Sequence, residues 1–274
     1  MLIELIKGTQ STVSEVGGKG YSLIKLTNAG FSVPRGFIIS ASVFIQTLKE
    51  NNKYDSVLDL CEKTTLENFR ETGIKMREMV LSCKPIFKVE KEITKFNSSV
   101  AVRSSSVSED SSNHSFAGLH DSFLNVEKKD VLCTVPKVWA SIFNDRALFY
   151  RLHNKMPLFE GVAVLVLEMV HAKYSGVVFT THPVDPSYLI VEVTPGTCDL
   201  LVEGRVTPDR YIFRRDNLTL EECEIVKTPT ANKKAMQNIV KECINIEKLF
   251  GVPQDIEWAV SDELYFLQSR AVVL

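Results

Sequence analysis

The sequence predicts a globular protein that combines helices and strands in two lobes. Charged, helix-favouring residues with spaced apolar positions run from Ala41 to about Ile93, whereas β-branched runs typical of strands dominate the second half. The chain has 274 residues, of which 45% are apolar. At this length a single hydrophobic core stops growing, which favours two lobes.

The first half is predicted to be mainly helical. A helix over 21–28 should end at Ala29-Gly30, because glycine commonly closes a helix, and the turn and short strand VPRGFIIS follow it. The serine-rich segment that begins at Ser98 contains two apolar strands, VAV and FLNV, so we expect an ordered loop between paired strands rather than a flexible linker. Helical periodicity resumes from Val131 to about Leu152.

The second half is predicted to contain most of the strands. A further helix should end at Phe250-Gly251, and the chain should finish in a hairpin in which a polar SDE turn joins DIEWAV to LYFLQSR. The expected strands are Val162 to Val170, Ser175 to Thr181, Leu189 to Val193 and Arg210 to Phe213.

Charge and cysteine usage exclude several classes of function. A formal net charge of -2 gives no long-range attraction for nucleic acid or for an anionic membrane. The six cysteines are dispersed without a CxxC pair, as in proteins of a reducing compartment. The start lacks signal-peptide character, and the longest apolar run, Val162 to Leu167, is too short to span a bilayer. We therefore expect a cytoplasmic protein.

The first candidate site is the glycine-rich segment Gly17-Gly18-Lys19-Gly20, which should lie just before a helix. Glycines let backbone amides approach an anion, and a lysine supplies a mobile positive charge. The spacing is not that of the nucleotide P-loop. Taken by itself, the segment favours a surface turn with a solvated lysine over an anion site.

The second candidate is Arg103, which leaves a strand and enters the serine-rich segment. The guanidinium group of Arg103 could hold two phosphate oxygens at once. An equally good interpretation is a structural ion pair between Arg103 and Glu109 or Asp110. Downstream, the small residues from Ser115 to Gly118 suit a flap over phosphates, as they would suit any tight turn.

The third candidate is the last hairpin. Asp255 and Glu257 share one face of a strand because they are two residues apart, and so do Gln268 and Arg270. A two-residue loop at 262–263 would pair Glu257 with Gln268 and Asp255 with Arg270, whereas a three-residue loop would shift this pairing by one position. Carboxylates placed in this way can hold Mg²⁺ together with nucleotide phosphates, and the alternative is a solvated face with an Asp–Arg salt bridge.

Together these segments resemble the nucleotide-binding domain of the phosphoenolpyruvate synthase, pyruvate phosphate dikinase and rifampin phosphotransferase family. The resemblance runs in order along nearly the whole chain. It rests on GGKGYSLIKLTNAGFSVPRGFIIS, VAVRSSSVSEDSSNHSFAGLHDSFLNV, VWASIFNDRALFYR, LVLEMVHAKYSGVVFTTHP, GRVTPDRY and QDIEWAVSDELYFLQSR.

The resemblance implies an α+β ATP-grasp fold in which two lobes, 1–160 and 161–274, clasp ATP in the cleft between them. It implies ATP and Mg²⁺ as cofactors, and transfer of the β-phosphoryl group of ATP to a histidine on a separate domain or subunit, with release of AMP and phosphate. The resemblance implies that Lys19 and Arg103 bind phosphate, with Gly18 in the glycine-rich turn, and that Ser115 to Gly118 form a phosphate flap. It implies backbone contact with adenine at Glu168, Met169 and Val170. It also implies that Asp255, Glu257 and Gln268 bind metal and phosphate, and that Arg270 adds a phosphate contact.

Three departures from the family pattern affect this expectation. The chain reads Phe179-Thr180-Thr181-His182-Pro183 where the family usually has FTxDP, and Gly196-Thr197-Cys198-Asp199 where it usually has GLGE. No glycine-rich loop with a phospho-accepting histidine is present in the sequence. We therefore expect only a partial reaction from this chain, and a nucleotide-binding regulatory module without turnover is the alternative.

Overall fold

The computed structural model of the protein describes residues 1–108, 119–202, 204–226 and 230–272. The chain divides into two compact units, one comprising Met1–Tyr21 and Arg35–Met169 and the other comprising Ser22–Pro34 and Val170–Leu274. Each unit contains one antiparallel sheet. The predicted combination of helices and strands, an α+β fold, is confirmed.

The compact units differ from the predicted lobes 1–160 and 161–274 in two places. Strand 162–168 belongs to the first unit because it lies inside that unit's sheet, and residues 22–34 belong to the second unit although they come early in the chain. A boundary drawn from sequence order cannot anticipate such exchanges, because they depend on which strands pair.

The helices and strands have the following bounds. The helices are α1 (Val13–Ala29), α2 (Ala41–Glu50), α3 (Tyr54–Lys63), α4 (Phe69–Leu81), α5 (Glu90–Ile93), α6 (Val131–Ala140), α7 (Asp145–His153), α8 (Asp199–Val202) and α9 (Lys233–Phe250). The strands are β1 (Leu2–Glu4), β2 (Gly36–Ile39), β3 (Val100–Ser106), β4 (Ser122–Val126), β5 (Val162–Glu168), β6 (Tyr174–Phe179), β7 (Tyr188–Pro195), β8 (Asp209–Arg214), β9 (Leu220–Glu224), β10 (Gln254–Val260) and β11 (Leu264–Ala271).

The sheet of the first unit has the strand order β1-β2-β5-β3-β4. Alternate residues of its central strands point into one apolar core, to which α2, α4 and α6 also contribute. Val102, Val164 and Val166 are fully buried there. The intervening residues point to the other face, which carries the beginning of α1.

The sheet of the second unit has the strand order β11-β10-β6-β7-β8-β9. Helix α9 packs against β10 and buries one stripe at helical spacing, formed by Met236, Ile239, Val240, Cys243 and Ile246. Asn232 caps the start of α9 by accepting a hydrogen bond from the Ala235 amide at 2.9 Å. Gly251 closes the helix in the left-handed conformation, as the sequence predicted.

Most of the predicted elements are confirmed. The strand in VPRGFIIS is β2, the two strands around the serine-rich segment pair as β3 and β4, and the last segment is the β10–β11 hairpin. Strands β1 and β9, which are short edge strands, were not predicted from the sequence. None of the helices in the described ranges has the length and apolar character needed to cross a membrane.

Candidate functional site

The beginning of α1 is bent at Gly17. Its backbone angles, φ 69° and ψ 175°, interrupt the helix, which restarts at Gly18. A Cβ atom at Gly17 would lie 2.1 Å from the carbonyl oxygen of Ser105, so glycine is required by the backbone angle and by the available space. The prediction that the glycines precede the helix is wrong in this detail, since Gly18, Lys19 and Gly20 form the first turn of its main part.

The hydroxyl of Ser105 on β3 holds this bend. Its Oγ donates to the carbonyl oxygen of Val16 at 2.6 Å and accepts a hydrogen bond from the Gly20 amide at 2.9 Å. Ser105 is fully buried. A residue more than eighty positions away thus fixes the geometry of the glycine-rich turn.

Arg103 lies on the same face of the sheet as Ser105, because the two residues are two apart on β3. Its partner across β5 is Leu165, whose partner across β2 is Ile38, and paired residues share a face. A Cβ atom at Gly20 would lie 3.0 Å from Ile38 and 3.5 Å from Leu165. The first unit therefore brings the glycine-rich turn and Arg103 to one face of its sheet.

The exposure of Lys19 tests the alternative in which the glycine-rich segment is a surface turn with a solvated lysine. Lys19 is only 8% exposed. This burial does not fit a solvated lysine in a surface turn. The other phosphate-binding candidates, Ser115 and Gly118, lie outside the described residues, as do Glu109 and Asp110, the alternative partners of Arg103.

The predicted adenine-binding segment follows the end of β5. The amide of Glu168 donates to the Arg35 carbonyl oxygen at 2.8 Å, and the amide of Met169 donates to Ser99 at 2.9 Å. The Glu168 carboxylate accepts hydrogen bonds from the amides of Asn97 and Ser98. The amides of Glu168 and Met169 therefore already donate hydrogen bonds within the unit. The predicted backbone contact with adenine would depend on carbonyl oxygens of the segment or on Val170.

The β10–β11 hairpin has the predicted pairs. Asp255 lies opposite Arg270 and Glu257 lies opposite Gln268. The loop is the three-residue alternative, since the ladder ends at the pair Val260–Leu264 and leaves the predicted SDE segment as the turn. A bulge after Glu257, where the register shifts by one residue, compensates for the longer loop.

Asp255 and Arg270 form an ion pair. Nε and Nη2 of Arg270 donate to the same oxygen, Oδ2 of Asp255, at 2.8 and 2.6 Å. Burial raises the pKa of Asp255 above its ordinary value, because it outweighs the attraction of Arg270, and the neighbouring Glu257 raises the pKa further. The salt bridge considered as an alternative is thus present, with Nε and Nη2 of Arg270 both directed to Oδ2.

The oxygen ligands of this hairpin fit a magnesium ion whose coordination is completed by water and phosphates. They do not by themselves form a metal site made only of protein ligands. Within the described ranges no three histidine, cysteine, aspartate or glutamate side chains form a ready metal-binding group. Two carboxylates and the amide oxygen of Gln268 are oxygen ligands, and Mg²⁺ typically takes one or two carboxylates while water and substrate phosphates complete its octahedron. When bound, the ion would neutralise charge on the phosphates.

The two segments that depart from the family pattern are both ordered in the second unit. His182 Nδ1 accepts hydrogen bonds from the amides of Val184 and Asp185 at 3.1 and 3.2 Å, a task that an aspartate carboxylate can also perform. Cys198 belongs to one small hydrophobic cluster with Leu201 and with Val177, the β6 partner of Glu257, so this cluster lies on the face that carries the carboxylates. Oδ1 of Asp199 is buried there without a hydrogen-bond partner among the described residues.

Sequence reasoning missed a buried ionic cluster in the first unit. Arg151 on α7 is 1% exposed, forms an ion pair with Glu160 and donates to the carbonyl oxygen of Pro157 at 2.8 Å. Glu160 also accepts hydrogen bonds from Ser106 and Ser108. The cluster ties α7 to the end of β3, which explains the last residue of the VWASIFNDRALFYR segment structurally. An arginine on an amphipathic helix gives no sequence signal of such burial.

Asp209 at the start of β8 was also missed. Its carboxylate accepts hydrogen bonds from the Val226 amide at 2.9 Å and from the amide and hydroxyl of Thr230 at 2.8 and 2.7 Å. Burial alone would raise the pKa of Asp209, but these hydrogen bonds outweigh it and leave the pKa below its ordinary value. Asp209 therefore anchors the segment that leads to α9.

A glycine-rich helix start on the same sheet face as an arginine, and a hairpin that carries two carboxylates and an amide, are compatible with a nucleotide-binding α+β protein. Comparison with known proteins identifies the family. The model described as "Pyruvate phosphate dikinase, AMP/ATP-binding domain" matches residues 13–242. The chain belongs to this family.

Its relatives include larger enzymes. The probable phosphoenolpyruvate synthase of Methanothermobacter thermautotrophicus is 31% identical over 95% of this chain and 44% of its own length. The phosphoenolpyruvate synthase of Escherichia coli is 30% identical over 94% of this chain and 40% of its own length. The rifampicin phosphotransferase of Bacillus cereus is 30% identical over 94% and 34%, respectively. The chain thus spans less than half the length of these relatives.

Among solved structures, the D-alanine–D-alanine ligase of Bacillus anthracis aligns with 93% of this chain and 55% of its own, with a TM-score of 0.40 and 9% identity. This is a distant likeness. The ATP-grasp assignment made from the sequence accords with the family membership of the chain.

Proposed function

We propose that this chain binds Mg–ATP as the nucleotide-using part of a phosphoenolpyruvate synthase-like phosphotransferase with an ATP-grasp architecture. The observation that carries the proposal is the register of the last hairpin. It places Asp255 and Glu257 on one face opposite Arg270 and Gln268. Two carboxylates, an amide and a guanidinium group together match the charges of a magnesium–polyphosphate.

Each unit contributes one set of roles. In the first unit, Lys19 and Arg103 hold phosphate oxygens with Gly18 in the supporting turn, and the backbone from Glu168 to Met169 meets adenine. In the second unit, Val170 extends the adenine contact, Asp255, Glu257 and Gln268 hold Mg²⁺, and Arg270 contacts phosphate.

The reaction is transfer of the β-phosphoryl group of ATP to a histidine on a separate domain or subunit. Releasing both AMP and phosphate breaks the α–β and the β–γ anhydride bonds, so the balance requires the histidine nitrogen as one acceptor and a water molecule as the other. The residues of this chain hold the phosphates in place for attack, which is the positioning component of catalysis.

The test is to incubate the chain with β-labelled ATP and Mg²⁺, in the presence of a histidine-bearing domain from a related synthase. We expect AMP formation to increase sharply with the added domain, and acid-labile label to appear on it. The same domain with its histidine replaced by alanine is the control. Label on this chain, or rapid release of ADP without the added domain, would show that the acceptor assignment is wrong.

A nucleotide-binding module without turnover is a second candidate. The observation that favours it is the ion pair between Arg270 and Asp255, because an arginine that holds one carboxylate oxygen competes with a metal ion. This candidate predicts Mg–ATP binding without AMP formation under any of the conditions above. Calorimetric titration together with the label experiment separates the two functions.

A further inference from the structure

The Ser105 hydroxyl occupies the place of a missing helical hydrogen bond. In an α-helix, the amide of residue i bonds to the carbonyl oxygen of residue i−4, so the Gly20 amide would bond to Val16. The backbone turn at Gly17 prevents this bond. Ser105 Oγ instead contacts both groups, at 2.6 Å from the Val16 oxygen and 2.9 Å from the Gly20 nitrogen. Side chains that insert into the hydrogen-bond ladder are a known cause of helix kinks.

This bridge determines where Lys19 lies. Lys19 is the residue before Gly20, in the turn that the bridge closes, and a bend without it would leave two buried backbone groups without partners. Ser105 is itself held rigidly, because β3 pairs with β5 along its whole length, from the pair Val100–Glu168 to the pair Ser106–Val162.

The same strand carries Arg103 on the same face as Ser105. The strand that supplies one of the proposed phosphate-binding cations therefore also clamps the turn that supplies the other. We infer that Ser105 is a positioning residue, whose hydroxyl sets the position of Lys19 relative to Arg103 by bridging Val16 and Gly20. This inference rests on the proposed function, since the two cations are taken to hold nucleotide phosphates.

The variant that tests the inference is Ser105→Ala in the full chain. Ser104→Ala is a matched control, because Ser104 is a neighbouring buried serine on the opposite face of β3. Two measurements are made on each variant: the dissociation constant of Mg–ATP, and amide hydrogen exchange in the peptide that covers 16–21. We expect Ser105→Ala to weaken Mg–ATP binding about tenfold and to increase exchange in that peptide, whereas Ser104→Ala changes both by less than about twofold.

A double-mutant cycle with Lys19→Ala distinguishes positioning from general loss of stability. If Ser105 acts through Lys19, the Ser105→Ala change should weaken Mg–ATP binding by less than about twofold when Lys19 is already alanine. A tenfold effect that persists in the Lys19→Ala background would overturn the inference. Unchanged exchange in 16–21, or increased exchange with unchanged affinity, would overturn it as well.

The outcomes also separate this inference from the proposed function. A wild-type chain that binds no Mg–ATP would refute the proposed function, and the role of Ser105 in nucleotide binding with it. If the wild type binds Mg–ATP and Ser105→Ala has the same dissociation constant, only the inference is refuted.

Discussion

The glycine-rich turn and the last hairpin supply the two sets of proposed site residues, and they are built in different ways. The hairpin is local, since all of its pairs lie within Gln254–Ala271. The turn depends on a distant contact, because Ser105 joins Val16 and Gly20 across more than eighty residues. Strand alternation predicted which residues of each hairpin strand share a face, and the predicted cross-strand pairs hold because the bulge offsets the longer loop. Helical periodicity could not reveal the bend at Gly17.

The comparison shows that a correct register can arise from two compensating features. The hairpin loop has three residues, which alone would have moved every pair by one position. The bulge after Glu257 restores the predicted pairs on the side of the hairpin that carries the site. The residues near the loop and those near the site therefore follow different registers.

The largest effect should come from removing the cations beside the glycine-rich turn. We expect Lys19→Ala and Arg103→Ala each to reduce AMP formation by about 10²–10³-fold, since each removes a preorganised charge from the phosphates. Steady-state assays in the presence of the histidine-bearing domain measure this loss. A variant that unfolds but still binds nucleotide in its remaining folded fraction would assign a structural role to that residue.

The next effect tests the distant contact itself. Gly17→Ala should lower the free energy of unfolding by about 2–5 kcal/mol, because it combines a left-handed backbone with a Cβ placed against the Ser105 carbonyl group. Gly30→Ala is the matched control, since Gly30 also has a positive φ but has no atom within 4 Å of the added Cβ. It should cost only about 1–2 kcal/mol. If urea unfolding showed equal losses of unfolding free energy for Gly17→Ala and Gly30→Ala, the contact with the Ser105 carbonyl group would not account for the effect at Gly17.

Much of the fold was predictable because apolar periodicity reports which face of an element is buried. The helices between Ala41 and Ile93 and the strand pair β3–β4 follow from that pattern, and the end of α9 at Gly251 follows from the tendency of glycine to close helices. Long-range polar contacts were not predictable. Ser105, Arg151 and Asp209 each act through partners that only the folded chain brings near, and a serine, arginine or aspartate looks the same in a sequence whether it is buried or solvated.

Asp209 allows a test by pH. Its pKa is lowered in the folded chain, so its ionised form stabilises the fold above the pKa of the unfolded chain, and this stabilisation is lost as the pH falls through the folded value. We expect Asp209→Asn to lower the free energy of unfolding by about 2 kcal/mol at pH 7 and by progressively less below pH about 4. Asp216→Asn, whose side chain is 65% exposed, is the control and should stay within about 0.5 kcal/mol. A pH-independent difference would contradict the anchoring role of the carboxylate.

The smallest effect on stability is expected near the open end of the hairpin, in Asp255→Asn. Burial raises the pKa of Asp255 despite the nearby Arg270, which means that the ionised carboxylate is less favourable in the folded chain than in the unfolded chain. An asparagine keeps an acceptor for the arginine and removes the buried charge. The free energy of unfolding at pH 7 should therefore stay within about 0.5 kcal/mol of the wild type or rise, since Arg270, whose side chain is 30% exposed, remains partly solvated when residue 255 no longer carries a charge. Mg–ATP binding should weaken at least about tenfold, while adenosine binding should be unchanged, because the carboxylate is proposed to hold metal and not base.

Calorimetric titration with Mg–ATP and with adenosine measures the affinities of Asp255→Asn, and urea unfolding measures its free energy of unfolding. A loss of stability above about 2 kcal/mol with unchanged Mg–ATP affinity would assign Asp255 to the ion pair alone, and the hairpin would then be a structural feature like the cluster around Arg151.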